Sequence, residues 1–353
     1  MRYLAEGHRT HSLGVYQMRM LCITWAPVSR RMDELADEFG AIRWDCSVMF
    51  RVKFAAPVRY AAMAVKTLLK LSRTKPHVVI AQNPPIFLAL TCLFYRGIAK
   101  CKLVIDHHCI WSEKSIKNFI AKAFVALVER TVSSRVDLNV SPNDAWTRRM
   151  KELGIQKCVT VIDYVREVRA SVIDRRSYRT TKYLAVFPSG GHPDERQDLA
   201  MQATQRIQDL TLVVTGDKRY LSRLLQYSGE RVLFPGFLPN GEYFGLLTQC
   251  DFVLNVTDEL HTVPHFLYEA VALEKPIISS AARAIKDIFG DQICLVKKNT
   301  AESVEAAIRD LLQDLHMWRM RSGILKKELG ERRRAEVNAL RLAIASSQLS
   351  DRR

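Results

Sequence analysis

Short, continuous apolar runs alternate along the chain with longer segments of helical periodicity. Runs at 18–24, 76–81, 102–106, 138–140 and 159–162 lack the in–out alternation of a half-exposed sheet. They predict strands buried on both faces, as in a parallel sheet. Between them the pattern predicts helices through 33–39, near 58–72, up to Tyr95, near 115–133 and up to Leu153. The first has Asp33 and Glu34 in its opening turn and Gly40 after its last, the usual punctuation of a helix. The alternation restarts with runs at 183–187, 210–215, 232–234, 251–257, 277–280 and 293–296. Helices are predicted up to Ile207, after 215, ending near Gln249, around Glu269, at 301–305 and at 317–345. Strands alternating with helices in this way indicate an α/β fold with parallel sheets covered on both faces. Residues 1–17 show no clear element, and 164–182 are charged and aperiodic. The expected organisation is an N-terminal extension (1–17), a first α/β domain (18–163), a linker (164–182), a second α/β domain (183–318) and a closing helix (319–353).

Composition narrows the class. With 353 residues, 48% hydrophobic and 25% charged, the chain can bury two cores of ordinary domain size. The longest apolar run, around 86–94, is about half of the roughly 20 residues a membrane span needs. The first ten residues lack an apolar signal core, so export is not expected. The eight cysteines include no CxxC pair, which predicts neither a zinc site nor a disulfide framework, and a reducing compartment.

Charge changes the picture more. The formal net charge is +16, and residues 1–163 carry 25 Lys and Arg against 13 Asp and Glu. A basic face attracts nucleic acid, an anionic lipid surface or a diphosphate-bearing substrate, or it is simply solvated. Nucleic acid is not expected as a partner, because the aromatics are not interleaved with basic residues in a stacking pattern. Residues 60–73 mix Leu, Met and Val with Lys66, Lys70 and Arg73. Such a helix can rest peripherally on an anionic membrane, or pack on its sheet with its charges outward.

Candidate chemistry lies where predicted strands end. Loops leaving the carboxyl ends of parallel strands into helix N-termini bind phosphorylated ligands through free amide N–H groups and the helix dipole. Gly190 and Gly191 follow the run at 183–187, and Gly216, Lys218 and Arg219 follow 210–215. Glycine lets a backbone approach a pyrophosphate closely. Each of these turns, taken alone, is also compatible with an ordinary loop. Thr257, His261 and Thr262 lie in the polar loop after 251–257. Asp106 and His108 close the run at 102–106 and could accept a proton, though a His pair can equally cap a helix. Ser29, Arg30 and Arg31 occupy the first strand–helix loop, where a phosphate could meet them.

The order strand, Thr/His loop, helix carrying Glu269, then Lys275-Pro276 and a strand resembles the donor segment of GT-B glycosyltransferases of the family-4, group 1 type. The resemblance covers about 18–325 and is stronger in the second half. Gln82-Asn83-Pro84-Pro85 and Asp106-His107-His108 are similar to elements of the mannosyltransferases that build lipid-linked oligosaccharides. By this resemblance Glu269 would hydrogen-bond the nucleotide ribose, for which a carboxylate presents two acceptors in one plane. Gly236 and Phe237 would lie against the base. Arg196 would stand where the family has a Lys, while Gly191 replaces its Arg, and His261 replaces the Glu that many members carry eight positions before Glu269.

The resemblance implies two Rossmann-like, doubly wound parallel-sheet domains, with the last helix returning to brace the first. It implies a hexosyltransferase using a nucleotide-sugar donor and a glycan or lipid-linked acceptor, in polysaccharide or lipid-linked glycan synthesis. Asp106 and His108 would be catalytic, and Ser29, Arg30, Arg31 and Asn83 would meet the acceptor, with donor and acceptor meeting between the domains. Arg196, Lys218 and Arg219 would stabilise the departing diphosphate. No metal or other cofactor is expected, since the D-x-D arrangement that holds a divalent ion is absent. The expected location is the cytoplasm, at or near the inner membrane face. Two alternatives stay open: a nucleotide-sugar epimerase on the same scaffold, and a non-catalytic partner protein that keeps the fold.

Overall fold

The structure, a computed structural model, describes residues 18–26, 29–47, 56–109, 118–164, 178 and 181–350, with side chains except at 56 and 347–350. The expected extension at 1–17 and nearly all of the expected linker lie outside the described residues. In chain order come β1 (Met20–Thr24), α1 (Arg30–Phe39), β2 (Ile42–Asp45), α2 (Ala56–Thr74), β3 (Val78–Asn83), α3 (Ile86–Ile98), β4 (Lys102–His107), α4 (Phe119–Arg135), β5 (Leu138–Ser141), α5 (Asp144–Glu152) and β6 (Cys158–Thr160). Their strands form one sheet in the order β2-β1-β3-β4-β5-β6. Then follow β7 (Tyr183–Pro188), α6 (Gln197–Gln205), β8 (Leu210–Thr215), α7 (Lys218–Leu221), β9 (Val232–Gly236), α8 (Asn240–Gln249), β10 (Phe252–Asn255), α9 (His265–Ala272), β11 (Ile277–Ser280), α10 (Arg283–Phe289), β12 (Cys294–Val296), α11 (Ala301–Gln313) and α12 (Leu315–Ser350). The second sheet runs β12-β11-β10-β7-β8-β9. Both are parallel six-stranded sheets flanked by helices, the α/β architecture expected from the sequence. By compactness the chain divides into Met1–Asp106 with Arg135–Asp137, and His107–Ser134 with Leu138–Arg353.

Local chemistry sets these elements. Every residue of β3 and β8 is buried, which is why both are rich in apolar residues without a strict period of two. Ser29 caps α1 by accepting from the Met32 amide, and Gly40 ends it in the left-handed conformation at φ 59°. Asn143 caps α5 in the same way, accepting from Trp146 N at 2.9 Å. Along α12, Leu325 and Leu329 enter a core with Ile162, Leu184, Val186 and Val253. One turn further the buried Arg333 donates to the Ile162 carbonyl, and Glu336 accepts from the Ile162 amide at 2.7 Å. Arg332 adds an ion pair to Asp144 at 2.7 Å.

The eight cysteines are free thiols. Burial pushes the Cys22, Cys250 and Cys294 thiols up to about 12 and raises Cys92 as well. Since the thiolate is the reactive form, these four are expected to resist a water-soluble disulfide reagent at mildly alkaline pH in the native protein. Denatured protein should titrate all eight, and mass spectrometry of the modified peptides checks the assignment.

Candidate functional site

The second sheet reverses its winding between β7 and β10, which are neighbours although two other strands, β8 and β9, lie between them in the chain. Loops leaving the carboxyl ends of two such strands diverge and open a crevice, the usual ligand position in an open α/β sheet. Here those loops are 189–196 and 256–264, which contain the nominated Gly190, Gly191, Arg196, Thr257, His261 and Thr262.

The loops are knit together. Arg196 N donates to Val256 O at 2.8 Å, Asp258 N to Asp194 O at 3.0 Å, and Thr257 Oγ1 to Asp194 Oδ2 at 2.9 Å. Thr257 is fixed from behind, because its amide donates to Ser280 Oγ at 2.9 Å and its carbonyl accepts from Asn299 Nδ2 at 2.8 Å. From Thr257 the chain of bonds continues outward. Glu259 N donates to Thr257 Oγ1, and His261 N donates to Glu259 Oε1, each at 3.0 Å. The His261 carbonyl then accepts from Asn143 Nδ2 at 3.0 Å, and its ring lies 5.3 Å from that of Trp146. Residues far apart in sequence thus hold this loop in one shape.

Glycine is required at two of the nominated positions. Gly216 has φ 127°, and a Cβ there would stand 2.6 Å from the Ser189 carbonyl oxygen. Gly191 has φ 74°, and its Cβ would stand 2.6 Å from Tyr220 Cβ. That contact is with the root of the tyrosine side chain, so rotating the ring does not relieve it. A side chain at this position is therefore excluded by both the backbone and its neighbour. Gly191→Arg is expected to destabilise the protein by about 2 kcal/mol or more, since a left-handed residue and a clash coincide. A lower denaturant midpoint, without tighter nucleotide binding, is the outcome to look for.

The nominated cations differ in how they are engaged. Arg196 is held by Asp198 at 3.1 and 3.0 Å and by Asp258 at 3.4 Å, and its pKa is raised by these partners, Asp198 first. Arg219 is exposed and folds back on Asp217, whose carboxyl it holds down to about 2. Lys218 is exposed, and its stem lies 3.3 Å from where a Gly236 Cβ would be. Gly190 N donates to Glu195 Oε1 at 2.9 Å, and Ser189 Oγ donates to Glu195 Oε2 at 2.6 Å. Acidic groups thus occupy several donors that the resemblance assigns to phosphates.

Glu269 is buried in α9, with its Oε2 accepting from Tyr243 OH at 2.8 Å and its Oε1 3.3 Å from His265 Nδ1. Phe237 is among the most exposed large apolar side chains, at 78%. Thr262 is partly buried in the loop before α9. Sequence reasoning did not single out Tyr243, His265, Asn143, Asp194 or Tyr220. Only Asn143, in a Ser-Pro-Asn-Asp strand end, carried a visible signal.

In the first sheet the winding reverses between β1 and β3. Ser29, Arg30 and Arg31 follow β1, and Asn83 ends β3, so all four nominated acceptor residues lie at that reversal. The structure also joins two nominated residues directly. Arg31 Nε stands 2.9 and 3.0 Å from the two Asp106 oxygens, and its Nη2 stands 2.8 Å from Oδ1, with both side chains buried. His107 is buried against Asn139 Oδ1 at 2.9 Å, while His108 is partly exposed just beyond the strand.

Among the described residues no group of three or more His, Cys, Asp or Glu could hold a metal ion. Among them, too, no helix is long and apolar enough to cross a membrane.

Comparison with solved structures places this architecture in the two-domain GT-B fold. HepE from Anabaena, solved in complex with UDP, superposes with a TM-score of 0.67 at 14% identity, over 94% of this chain and 100% of that one. Sucrose-phosphate synthase from Thermosynechococcus elongatus gives 0.72 at 12% identity, over 95% and 98%. A glycosyltransferase from Rickettsia africae ESF-5 gives 0.61 at 11%, over 95% and 97%. Residues 181–314 match the family model described as Glycosyl transferases group 1. No curated protein matches the sequence.

Proposed function

We propose that the chain is a glycosyltransferase that moves a hexosyl group from a nucleotide-diphosphate sugar to a hydroxyl of a glycan or lipid-linked acceptor. The observation that carries this reading is the reversal point between β7 and β10, where a bonded crest of loops falls within the segment matching group 1 glycosyltransferases. In this reading the Gly190–Gly191 and Gly216 turns and Lys218 receive the diphosphate, and Glu269 receives the ribose. Gly236 and Phe237 border the base, while Thr257, His261 and Thr262 face the sugar. Arg196 would turn from its carboxylate partners to the phosphates on binding. His108 accepts the acceptor's proton, and Ser29, Arg30 and Asn83 position the acceptor. The buried pairing of Asp106 and Arg31 favours a supporting part for both, behind His108 and Ser29. Because HepE is solved with UDP and with UDP-glucose, uridine donors come first in the test. A lipid-linked acceptor would bring the protein to the inner membrane face, where the cations of α2 would meet anionic headgroups.

A second reading, a non-catalytic protein of this fold, is favoured by the carboxylates that already engage Arg196, Arg219 and the Gly190 amide. A thermal-shift panel of uridine, guanosine and adenosine diphosphates and their sugars, followed by nucleotide release with and without lipid acceptor, separates the readings. Acceptor-dependent release supports transfer. Altered free sugar nucleotide without acceptor indicates an epimerase, and absence of all nucleotide binding indicates the non-catalytic protein.

A further inference from the structure

Helix α4 is apolar on two faces, and only one of them is buried. Val125, Glu129, Val132 and Ser133 point into the protein. Phe119, Ile120, Phe124 and Leu127 are 82%, 77%, 57% and 65% exposed. At about 100° per residue these four fall within an arc of about 140°, so they form one continuous stripe. A soluble protein seldom leaves so many large apolar side chains together in water without a use for them.

The charge on this helix selects the partner. Its only acidic residue is Glu129, which is buried on the opposite face, while Lys122 and Arg130 are exposed beside the stripe. An apolar stripe rimmed by cations is the pattern of a helix lying in the interface of an anionic bilayer. A second observation points the same way. A cavity of about 450 Å³ is bordered by Leu127 and Ala126 of α4 and by Met150, Leu153 and Ile155 beneath them. Lys122, Arg130, Glu129 and Glu152 also line it. The stripe and the cavity share Leu127, and the flanking Lys122 and Arg130 also border the cavity, so an apolar chain drawn from a lipid surface would find room next to the docked helix.

We infer that α4 is a lipid-docking element that lays Phe119, Ile120, Phe124 and Leu127 into an anionic bilayer surface. This deepens the lipid-linked acceptor reading of the proposed activity, but its test needs no turnover. The full chain is mixed with vesicles of phosphatidylcholine, with or without phosphatidylglycerol, and bound protein is separated by flotation. Wild-type protein is expected to float with the anionic vesicles. The double variant Phe119→Ser, Phe124→Ser should lose about tenfold or more in vesicle partition, because two large apolar groups no longer enter the interface. Leu342→Ser, equally exposed on α12, should leave flotation unchanged. Because the substituted side chains are exposed, circular dichroism and the denaturant midpoint should match wild type. Unchanged flotation of the double variant, or failure of wild type to bind anionic vesicles, overturns the inference. So does a wild-type dimer in solution that the double variant dissociates, since the stripe would then be a self-interface. Nucleotide binding by the same preparations tests the transferase reading separately.

Discussion

Replacing Asp106 with alanine is expected to destabilise the protein by about 3–5 kcal/mol, because it leaves the Arg31 guanidinium buried without its counter-charge. Arg31 is 2% exposed and Asp106 is fully buried, and three contacts of 2.8 to 3.0 Å join them. Urea denaturation followed by circular dichroism reads the change. The double variant Arg31→Met, Asp106→Leu should recover much of the loss, since the uncompensated charge disappears with its partner. This result would assign Asp106 to holding β4 and α1 in place. A soluble, equally stable Asp106→Ala variant that had lost only turnover would instead return Asp106 to a direct chemical part.

The second large effect is expected at Glu269. Removing the carboxylate in Glu269→Ala should weaken nucleoside diphosphate binding about 100-fold, or about 2.8 kcal/mol, as expected for two charge-assisted hydrogen bonds to ribose hydroxyls. Tyr243→Phe keeps the carboxylate and removes only the donor at 2.8 Å that orients it, so a loss of about tenfold is expected there. Isothermal titration calorimetry of both variants gives the comparison. Equal affinity of Glu269→Ala and wild type would remove the ribose assignment.

The sheets were legible because their central strands are buried along most of their length, as at 210–215, where the apolar run and β8 coincide. The strand β2 was not foreseen. It is a four-residue edge strand, Ile-Arg-Trp-Asp, with no buried residue, so no apolar run betrays it. Helix α10, at seven residues, is too short to show a periodicity and was likewise not foreseen. At the site, the ends of strands located Gly190, Gly216 and Thr257, because ligand loops follow from strand order. Pairings were invisible. Arg31 and Asp106 lie 75 residues apart and Asn143 and His261 lie 118 apart, so no local pattern could join them. The pairing of Arg196 with Asp198 and Asp258 depends on side-chain rotamers and on which loops meet, neither of which spacing determines. The same holds for Gly191, where no local pattern reveals the tyrosine that fills the space beside it.

The most direct test is a crystal structure of the chain with the nucleoside diphosphate that binds it tightest. The expected complex has the ribose hydroxyls within hydrogen-bond distance of Glu269 and the diphosphate against the Gly190–Gly191 amides and Lys218. A nucleotide seated away from the loops after β7 and β10, or a panel in which no nucleotide binds, would contradict the account.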